Sequence, residues 1–336
     1  MSDRLVSIDR ILTARAALAG QIHRTPLLTS ATAARTIELT TGVQLADGRL
    51  YLKAEHLQKT GSFKVRGALN RLNSLTREER RAGAITMSAG NAAQAYAWAG
   101  ARAGVHVTVV MPEAAVPSKV EASLGYGAEV VLFGAHTGET FQRMEEIRAE
   151  RGLTVVHPFD QPEVIAGNGS VGLEILDDLG EVDVVVVGIG GGGLISGVAA
   201  AVKEIRPAVR VYGVEPERSN AMTLALAAGS IVRIQPASVA DGLGAPFAGE
   251  WTVPMVKRYV DDIVLLDDAT ILAGLRFSLE RLKQVVEPAG TAALAALLFG
   301  RIPLRDGDRV AVVLSGGNVE VSRLGELVAL AAPLPA

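Results

Sequence analysis

The chain has 336 residues, of which 49% are hydrophobic and 21% charged, and its net charge at pH 7 is −3. This composition is that of a globular protein, and the length favours two domains. The small net charge gives no indication of a basic surface that would bind nucleic acid or an anionic membrane. The lack of cysteine excludes disulfides, thiolate catalysis and cysteine-ligated metals.

The N-terminal segment carries no targeting signal. Residues 1–18 lack the apolar core and the small-residue cleavage site of a signal peptide. No run of about 20 apolar residues, the length of a membrane span, occurs in the chain. We therefore expect a cytoplasmic protein with no membrane partner.

Strands alternate with helices along most of the chain. In a first set, strands are predicted at 84–87, 105–111, 128–133 and 153–157, and helices at 91–104, 117–124 and 139–152. In a second set, strands are predicted at 182–189, 209–215 and 308–317, with a helix at 194–205. Residues 184–189 are all apolar or glycine, as in a strand covered on both faces. The pattern predicts an α/β protein with two open parallel sheets and a ligand-binding cleft between them.

The segment 55–69, EHLQKTGSFKVRGAL, contains the first motif. Gly61 and Ser62 are expected to interrupt the chain, with Ser62 as the N-cap of a helix that carries Phe63 and Lys64. A lysine in an apolar pocket has a lowered pKa, which suits imine chemistry. A solvated surface lysine is the alternative for this motif taken alone.

The segment 88–97, SAGNAAQAYA, lies where a predicted strand meets a helix. Ser88 and Asn91 could serve only as helix caps. Alternatively, the free N–H groups of this helix start could receive a substrate carboxylate. The spacing does not decide between the two.

Four consecutive glycines, Gly190 to Gly193, stand between a buried strand and a helix. Bare backbone before a helix N-terminus is typical of a phosphate site, whereas a tight turn needs only one or two glycines. The spacing of these glycines does not fit a P-loop. The GxGxxG pattern of dinucleotide-binding sites can be traced through the segment, but it is a weak signal. A fourth motif, SGGN at 315–318, follows a buried strand, so that Ser315 is placed either for a ligand or simply in a turn.

These four motifs, in this order, resemble the fold-type II pyridoxal-phosphate enzymes, and specifically the threonine dehydratase/serine racemase family. The resemblance extends from RTPL (24–27) to SGGN. It implies a tryptophan synthase β-like fold, in which a small domain, 83–156, is inserted in a large cofactor-binding domain formed by 1–82 and 157–336.

The resemblance also implies the role of each site residue. Lys64 would hold pyridoxal 5′-phosphate as a Schiff base, and Phe63 would pack on the cofactor. Asn91 would bond its 3′-oxygen, Ser315 would face its ring nitrogen, and Glu287 of the VEPAG segment would lie near the ring. The implied phosphate loop comprises Gly190, Gly191, Gly192, Gly193 and Leu194, and the implied substrate-carboxylate site comprises Ser88, Ala89, Gly90, Asn91 and Ala92.

The implied activity is that of a dehydratase, or ammonia-lyase. A β-hydroxy amino acid (threonine, serine, or a bulkier or acidic analogue) would yield a 2-oxo acid and ammonia, with Lys64 as general base and Ser88 as a second catalytic residue. An amino-acid racemase or a β-replacement synthase of the same fold is the alternative, followed by a non-catalytic binding protein. The family's dimers and tetramers imply a homodimer or homotetramer.

Three alanines depart from the family pattern. Ala92 replaces the usual histidine and leaves a smaller, more apolar spot beside the substrate carboxylate. Ala89 stands where serine racemases carry a serine that protonates the opposite face, which favours elimination over racemisation. Ala221 stands where metal-activated relatives carry an aspartate, so we expect no metal site.

Overall fold

The structure is a computed structural model and describes residues 4–335. Its α-helices are α1 (Ile8–Leu18), α2 (Ala31–Thr41), α3 (Lys64–Asn73), α4 (Arg77–Ala82), α5 (Asn91–Ala103), α6 (Pro117–Gly125), α7 (Thr137–Arg151), α8 (Pro162–Leu179), α9 (Gly193–Ile205), α10 (Ala221–Ala228), α11 (Thr252–Tyr259), α12 (Asp268–Phe277), α13 (Pro288–Leu298) and α14 (Val321–Ala329).

The strands alternate with these helices. They are β1 (Leu27–Ser30), β2 (Leu50–Lys53), β3 (Ala84–Met87), β4 (Val107–Met111), β5 (Glu129–Leu132), β6 (Thr154–Val155), β7 (Val184–Gly188), β8 (Arg210–Pro216), β9 (Asp262–Leu266) and β10 (Val310–Val313). None of the helices in residues 4–335 has the length and hydropathy needed to cross a membrane.

The strands form two sheets. The larger has six strands in the order β1-β2-β10-β7-β8-β9, and the smaller has four in the order β5-β4-β3-β6. All four strands of the smaller sheet are parallel, and so are all pairs of the larger sheet except β1 with β2. The fold is therefore α/β with two open sheets, as predicted.

Strand β7 shows why the central strands read as unbroken apolar runs. Val185 and Val187 pack into a core on one face of the sheet, with α8 and α9. Val184 and Val186 pack into a second core on the other face, with α13. Because both faces are covered by helices, no position of the strand can be polar.

The larger sheet differs from the sequence prediction in three of its six strands. β1 runs antiparallel to β2, and β1, β2 and β9 were not predicted. β2 reads LYLK and ends in Lys53, a polar residue in a position that proves to be fully buried. The predicted strand 308–317 was too long, because only Val310–Val313 pairs and the following residues turn towards the site.

The smaller sheet comprises segments between residues 84 and 155. Its strands lie within the predicted inserted segment 83–156. The exact division into two domains stays a prediction.

Candidate active site

A cavity of about 610 Å³ opens between residues of the two sheets. It lies where the parallel strands β3, β7 and β10 end, the edge at which open α/β sheets bind ligands. All fourteen predicted site residues line it: Phe63, Lys64, Ser88, Ala89, Gly90, Asn91, Ala92, Gly190, Gly191, Gly192, Gly193, Leu194, Glu287 and Ser315. The structure thus brings them together, while the role of each stays a prediction.

The segment that carries Lys64 is held against the chain that follows β10. The Phe63 N–H donates to the Ser315 carbonyl at 3.1 Å, and the Gly317 N–H donates to the Gly61 carbonyl at 2.9 Å. Ser62 forms an isolated antiparallel bridge with Gly316. These contacts place the first residue of α3, Lys64, beside Ser315 on the cavity wall.

The prediction that Ser62 caps α3 is wrong. The N-cap is Phe63, which makes no side-chain cap, and the buried Ser62 hydroxyl has no hydrogen-bond partner. A tertiary contact explains the difference. The backbone of Ser62 is extended because it pairs with Gly316, so the Ser62 side chain cannot reach the N–H groups at the start of α3.

Lys64 is the cationic residue on the cavity wall. Its Nζ donates to the Pro158 carbonyl at 3.2 Å and lies 5.0 Å from the centre of the Phe63 ring. Burial lowers the pKa of Lys64 to about 8, although the negative charge of Glu287 acts in the opposite direction. The neutral amine that a nucleophile requires is therefore more abundant near neutral pH than in an ordinary lysine, although the protonated form still predominates.

The glycine loop is required by close packing. A Cβ on Gly191 would lie 2.4 Å from the Phe159 ring, and one on Gly193 would lie 2.7 Å from the Phe159 carbonyl oxygen. Gly192 has φ +91°, a conformation that side chains disfavour, and its Cβ would meet Met222 at 2.5 Å. Packing alone therefore explains three of the four glycines.

The same loop also offers free donors. The N–H groups of Gly190, Gly191 and Gly192 donate no hydrogen bond to residues 4–335, and the loop ends at the N-terminus of α9. Unpaired N–H groups on a cavity wall at a helix N-terminus form an anion site. The packing role is therefore compatible with the phosphate interpretation, which stays a prediction.

The start of α5 offers further donors. Gly90, not Ser88 or Asn91, is the N-cap, and no side chain caps the helix, so the capping interpretation is wrong. The Ser88 hydroxyl instead accepts from the Gly90 N–H at 3.2 Å. The N–H groups of Ala89, Asn91 and Ala92 bond to no residue in the described part of the chain, which leaves them available to a carboxylate.

The side chain of Asn91 hydrogen-bonds to two other side chains and so links segments that are distant in the chain. Its amide Nδ2 donates to Glu287 Oε1 at 2.7 Å, and its Oδ1 accepts from Asn318 Nδ2 at 2.9 Å. Asn318 also donates to the Thr60 carbonyl at 2.8 Å. The chain of bonds leaves Asn91 one amide hydrogen and one lone pair for a ligand.

Glu287 is a buried carboxyl group at the same junction. Burial and the nearby Asp241 carboxylate raise the pKa of Glu287 to about 7, against the opposing effects of Lys119, Asn91 and Lys64. A Cβ on Gly316 would lie 2.5 Å from its Oε1, so glycine is needed there. Near neutral pH Glu287 is therefore about half protonated.

Two residues of the site were not predicted from the sequence. Asn318 is the last residue of SGGN, so its motif had been recognised, but its bond to Asn91 joins positions with no readable spacing. His157 follows β6 and lines the cavity, and its Nδ1 accepts from the Asp160 N–H at 2.9 Å. Burial, together with the charge of Lys64, lowers the pKa of His157 to about 4, so it is neutral at physiological pH.

The described residues contain no group of three or more histidine or acidic side chains that could hold a metal ion. Glu215, on β8 near Ala221, is instead occupied by the protein: its carboxylate accepts from the Met222 and Thr223 N–H groups at 2.8 and 2.9 Å, at the start of α10. The Thr223 hydroxyl also donates to it.

The residues on the cavity wall fit pyridoxal phosphate. A lysine of lowered pKa can bond its aldehyde, the free N–H groups of the glycine loop can hold its phosphate, and the Ser315 hydroxyl can meet a ring nitrogen. The fit rests on the lysine, the loop and the hydroxyl lining one cavity.

Comparisons with known proteins agree with this fit. Residues 18–316 match the family model described as pyridoxal-phosphate dependent enzyme. The catabolic L-threonine dehydratase of Escherichia coli is 41% identical over 97% of this chain and 97% of its own, and the L-threonine ammonia-lyase of Thermotoga maritima is 39% identical over 96% and 78%. The solved structure of maize serine racemase superposes with a TM-score of 0.88 at 35% identity, covering 96% of each chain.

Proposed function

This chain belongs to the family of pyridoxal-phosphate-dependent enzymes, and we propose that it is an ammonia-lyase that converts a β-hydroxy amino acid into a 2-oxo acid and ammonia. Relatives named threonine dehydratase and threonine ammonia-lyase, about 40% identical over nearly the whole chain, support this reaction. The observation that carries the proposal is that the Lys64 amine and the free N–H groups of the glycine loop and of the start of α5 all line one cavity.

Several residues would hold the cofactor. Lys64 would bond it covalently, Gly190–Gly193 and Leu194 would bind its phosphate, and Phe63 would pack on its ring. Asn91, Glu287 and Ser315 would meet the polar atoms of the ring. When bound, pyridoxal phosphate supplies an electron sink for the electron pair released as the substrate's α C–H bond breaks.

Lys64 is also the base of the proposed reaction. The Lys64 amine would be free for this role once the substrate's amino group has replaced it on the cofactor. A pKa of about 8 leaves part of the freed amine unprotonated at neutral pH, so its Nζ can accept the α-proton of the substrate. The Pro158 carbonyl, 3.2 Å from Nζ, orients the amine on the cavity wall. Glu287 stabilises the protonated form that results, because its charge raises the pKa of Lys64.

The start of α5 would bind the substrate carboxylate. Ala89, Asn91 and Ala92 offer unpaired N–H groups, and Ser88 adds a hydroxyl on the same wall. A carboxylate held there is oriented by several donors at once and by the positive end of the helix. Ser88 is proposed as a second catalytic residue because it lies in the same cavity as Lys64.

A racemase is the second candidate, because maize serine racemase has a similar structure. Racemisation needs a proton donor on the face of the substrate opposite the base. Ala89, on the cavity wall, has no proton to give. Elimination is therefore favoured over racemisation.

We also propose a cytoplasmic homodimer or homotetramer that takes a small amino acid as its partner and binds no nucleic acid. The near-neutral net charge of −3 supports the last point. Light scattering on the purified protein tests the assembly: a monomer at working concentration contradicts it.

The reaction is tested by incubating the purified holoenzyme with serine, threonine and larger β-hydroxy amino acids and measuring 2-oxo acid and ammonia. Equal amounts of the two products are expected, and the Lys64→Ala variant should form neither. If the enantiomer of the substrate accumulates without 2-oxo acid, the racemase is the correct function. If no β-hydroxy amino acid is altered, the proposal is wrong.

A further inference from the structure

Residues from both sheet regions line the cavity. The glycine loop, Ser315 and Glu287, which would surround the cofactor, come from the larger sheet and its helices. The facing wall comes from the ends of the smaller sheet and from α7. Its apolar members are Met87, Pro112, Phe141, Met144 and Val155.

One face of α7 provides much of this second wall. Thr137, Thr140, Phe141, Met144 and Glu145 all line the cavity, and this spacing places them on the same side of the helix. Met144 is buried, whereas the Phe141 ring is 53% exposed. An exposed aromatic ring beside a site gains free energy when an apolar ligand covers it, at roughly 25 cal/mol per Å² of apolar surface removed from water.

The charges around the cavity do not suit an acidic side chain. Its lining contains one cationic residue, Lys64, and three carboxyl groups, Glu145, Asp241 and Glu287, but no arginine. His157 is neutral at physiological pH because burial, together with the charge of Lys64, lowers its pKa to about 4. A substrate with a second carboxylate would therefore meet like charges and no free cation.

A cationic side chain is no better matched. Glu145 accepts a hydrogen bond from Arg148 at 2.9 Å, and Asp241 is paired with Lys119 at 2.8 Å. Glu287 is held by Asn91 and lies near Lys64. Each carboxyl group of the lining thus already has a protein partner, which weakens its attraction for a substrate ammonium group.

Space is available for a large group. Ala92, at the start of α5, contributes only a methyl group to the lining. The methyl group of threonine would leave Phe141 uncovered, since it is much smaller than the wall formed by Phe141, Met144 and Met87. Apolar pockets discriminate by about 10- to 200-fold for each methylene that is missing.

We infer that the preferred substrate is a β-hydroxy amino acid whose β-carbon carries a large, uncharged apolar group, which packs against Phe141 and Met144. This inference rests on the proposed ammonia-lyase function and narrows its substrate class. Phe141 is then a specificity-determining residue of the site. Serine and threonine are poorer substrates, and β-hydroxyaspartate is the poorest.

The test compares kcat/KM of the holoenzyme for threonine, β-hydroxyaspartate and β-phenylserine, each measured as 2-oxo acid released. We expect β-phenylserine to exceed threonine by about tenfold or more, and β-hydroxyaspartate to be turned over least. Phe141→Ala should lower the ratio of the β-phenylserine value to the threonine value by about tenfold. Phe133→Ala is the matched control, because this half-exposed phenylalanine lies outside the cavity, and it should leave the ratio unchanged.

The outcomes separate the two proposals. If threonine or β-hydroxyaspartate is turned over better than β-phenylserine, the ammonia-lyase stands and the inference is wrong. If β-phenylserine is preferred but Phe141→Ala and Phe133→Ala behave alike, the assignment of Phe141 is wrong. If none of the three substrates yields a 2-oxo acid, the proposed function itself fails, and the inference fails with it.

Discussion

Two opposing effects act on the amine of Lys64. Withdrawal from water disfavours its charged form, while the Glu287 carboxylate favours it. Burial is the larger effect, so the pKa falls to about 8 from an ordinary value of 10.5. The neutral, nucleophilic form is therefore present at lower pH than in an exposed lysine.

The first prediction concerns the pH dependence of cofactor uptake. Only the neutral amine can bond the aldehyde of pyridoxal phosphate, so the initial rate of uptake by the apoprotein should rise through a midpoint near pH 8. Stopped-flow absorbance measures this rate. A midpoint near 10.5 would show that Lys64 is an ordinary solvated lysine.

Glu287→Gln provides the control for that prediction. Glutamine retains an oxygen for the Asn91 amide but removes the negative charge that raises the pKa of Lys64. The midpoint should therefore move to lower pH in this variant. A shift to higher pH would contradict the electrostatic account.

At the scale of the helices and strands, α3 is anchored by a buried ion network. Arg66, two residues beyond Lys64, is fully buried and donates to both oxygens of Glu55 at 2.7 and 2.8 Å. It also donates to both oxygens of Glu174, on α8, at 2.7 and 2.9 Å. The start of α3 is thus tied to the segment after β2 and to α8, which positions Lys64.

The second prediction is that Arg66→Met destabilises the protein by about 3–5 kcal/mol, because it leaves buried carboxylates without their main partner. Urea unfolding followed by circular dichroism measures the change. Arg35→Met is the matched control, since the Arg35–Glu38 pair is exposed, and it should leave unfolding almost unchanged. Equal effects of the two variants would contradict a structural role for the network.

In the larger sheet, the sequence predicted β7, β8 and β10 but not β1, β2 and β9. β7 is apolar throughout because helices cover both faces, so its pattern has one interpretation. β2 was missed because it ends in Lys53, whose buried ammonium is paired with Glu174 at 2.7 Å, an arrangement that only the tertiary structure reveals. β9, an edge strand that is mostly half-buried, was missed as well.

The residues of the site were predicted from motifs, whereas their connections were not. Lys64, Asn91, Ser315 and the glycine loop belong to four short segments that could be read separately. The bonds from Asn318 to Asn91 and from Asn91 to Glu287 join residues far apart in the chain, and no local spacing encodes them. The cap predicted at Ser62 and the capping alternative considered for Ser88 were both wrong, because a non-local pairing extends Ser62 and a turn contact holds the Ser88 hydroxyl.

At the scale of the whole molecule, a salt bridge joins the two sheet regions across the cavity. Lys119 on α6 donates to Asp241 at 2.8 Å, and the lysine side chain is only 10% exposed, although Asp241 is 58% exposed. Asp241 lines the cavity. Nearby, the Ser118 hydroxyl donates to Glu320 at 3.2 Å, so α6 contacts the segment beyond β10 as well.

The third prediction is that Lys119→Met weakens the contact between the two sheet regions beside the cavity. Because Asp241 is exposed, the variant should lose about 1 kcal/mol of interaction free energy, which corresponds to roughly a fivefold rise in the KM for substrate. Steady-state kinetics at low and high salt measure the KM of both proteins. The difference in KM between the wild type and the variant should shrink at high salt, because salt screens the ion pair. The same KM in both proteins would show that the Lys119–Asp241 salt bridge does not contribute to substrate binding.

The account rests on Lys64 as the lysine that bonds pyridoxal phosphate, and one measurement tests this directly. The holoenzyme is reduced with borohydride, which fixes the cofactor to its lysine, then digested and analysed by mass spectrometry. The account predicts the cofactor's mass on the peptide that contains Lys64, and its absence from the Lys64→Ala variant. Attachment to another lysine, or none in the wild type, would contradict it.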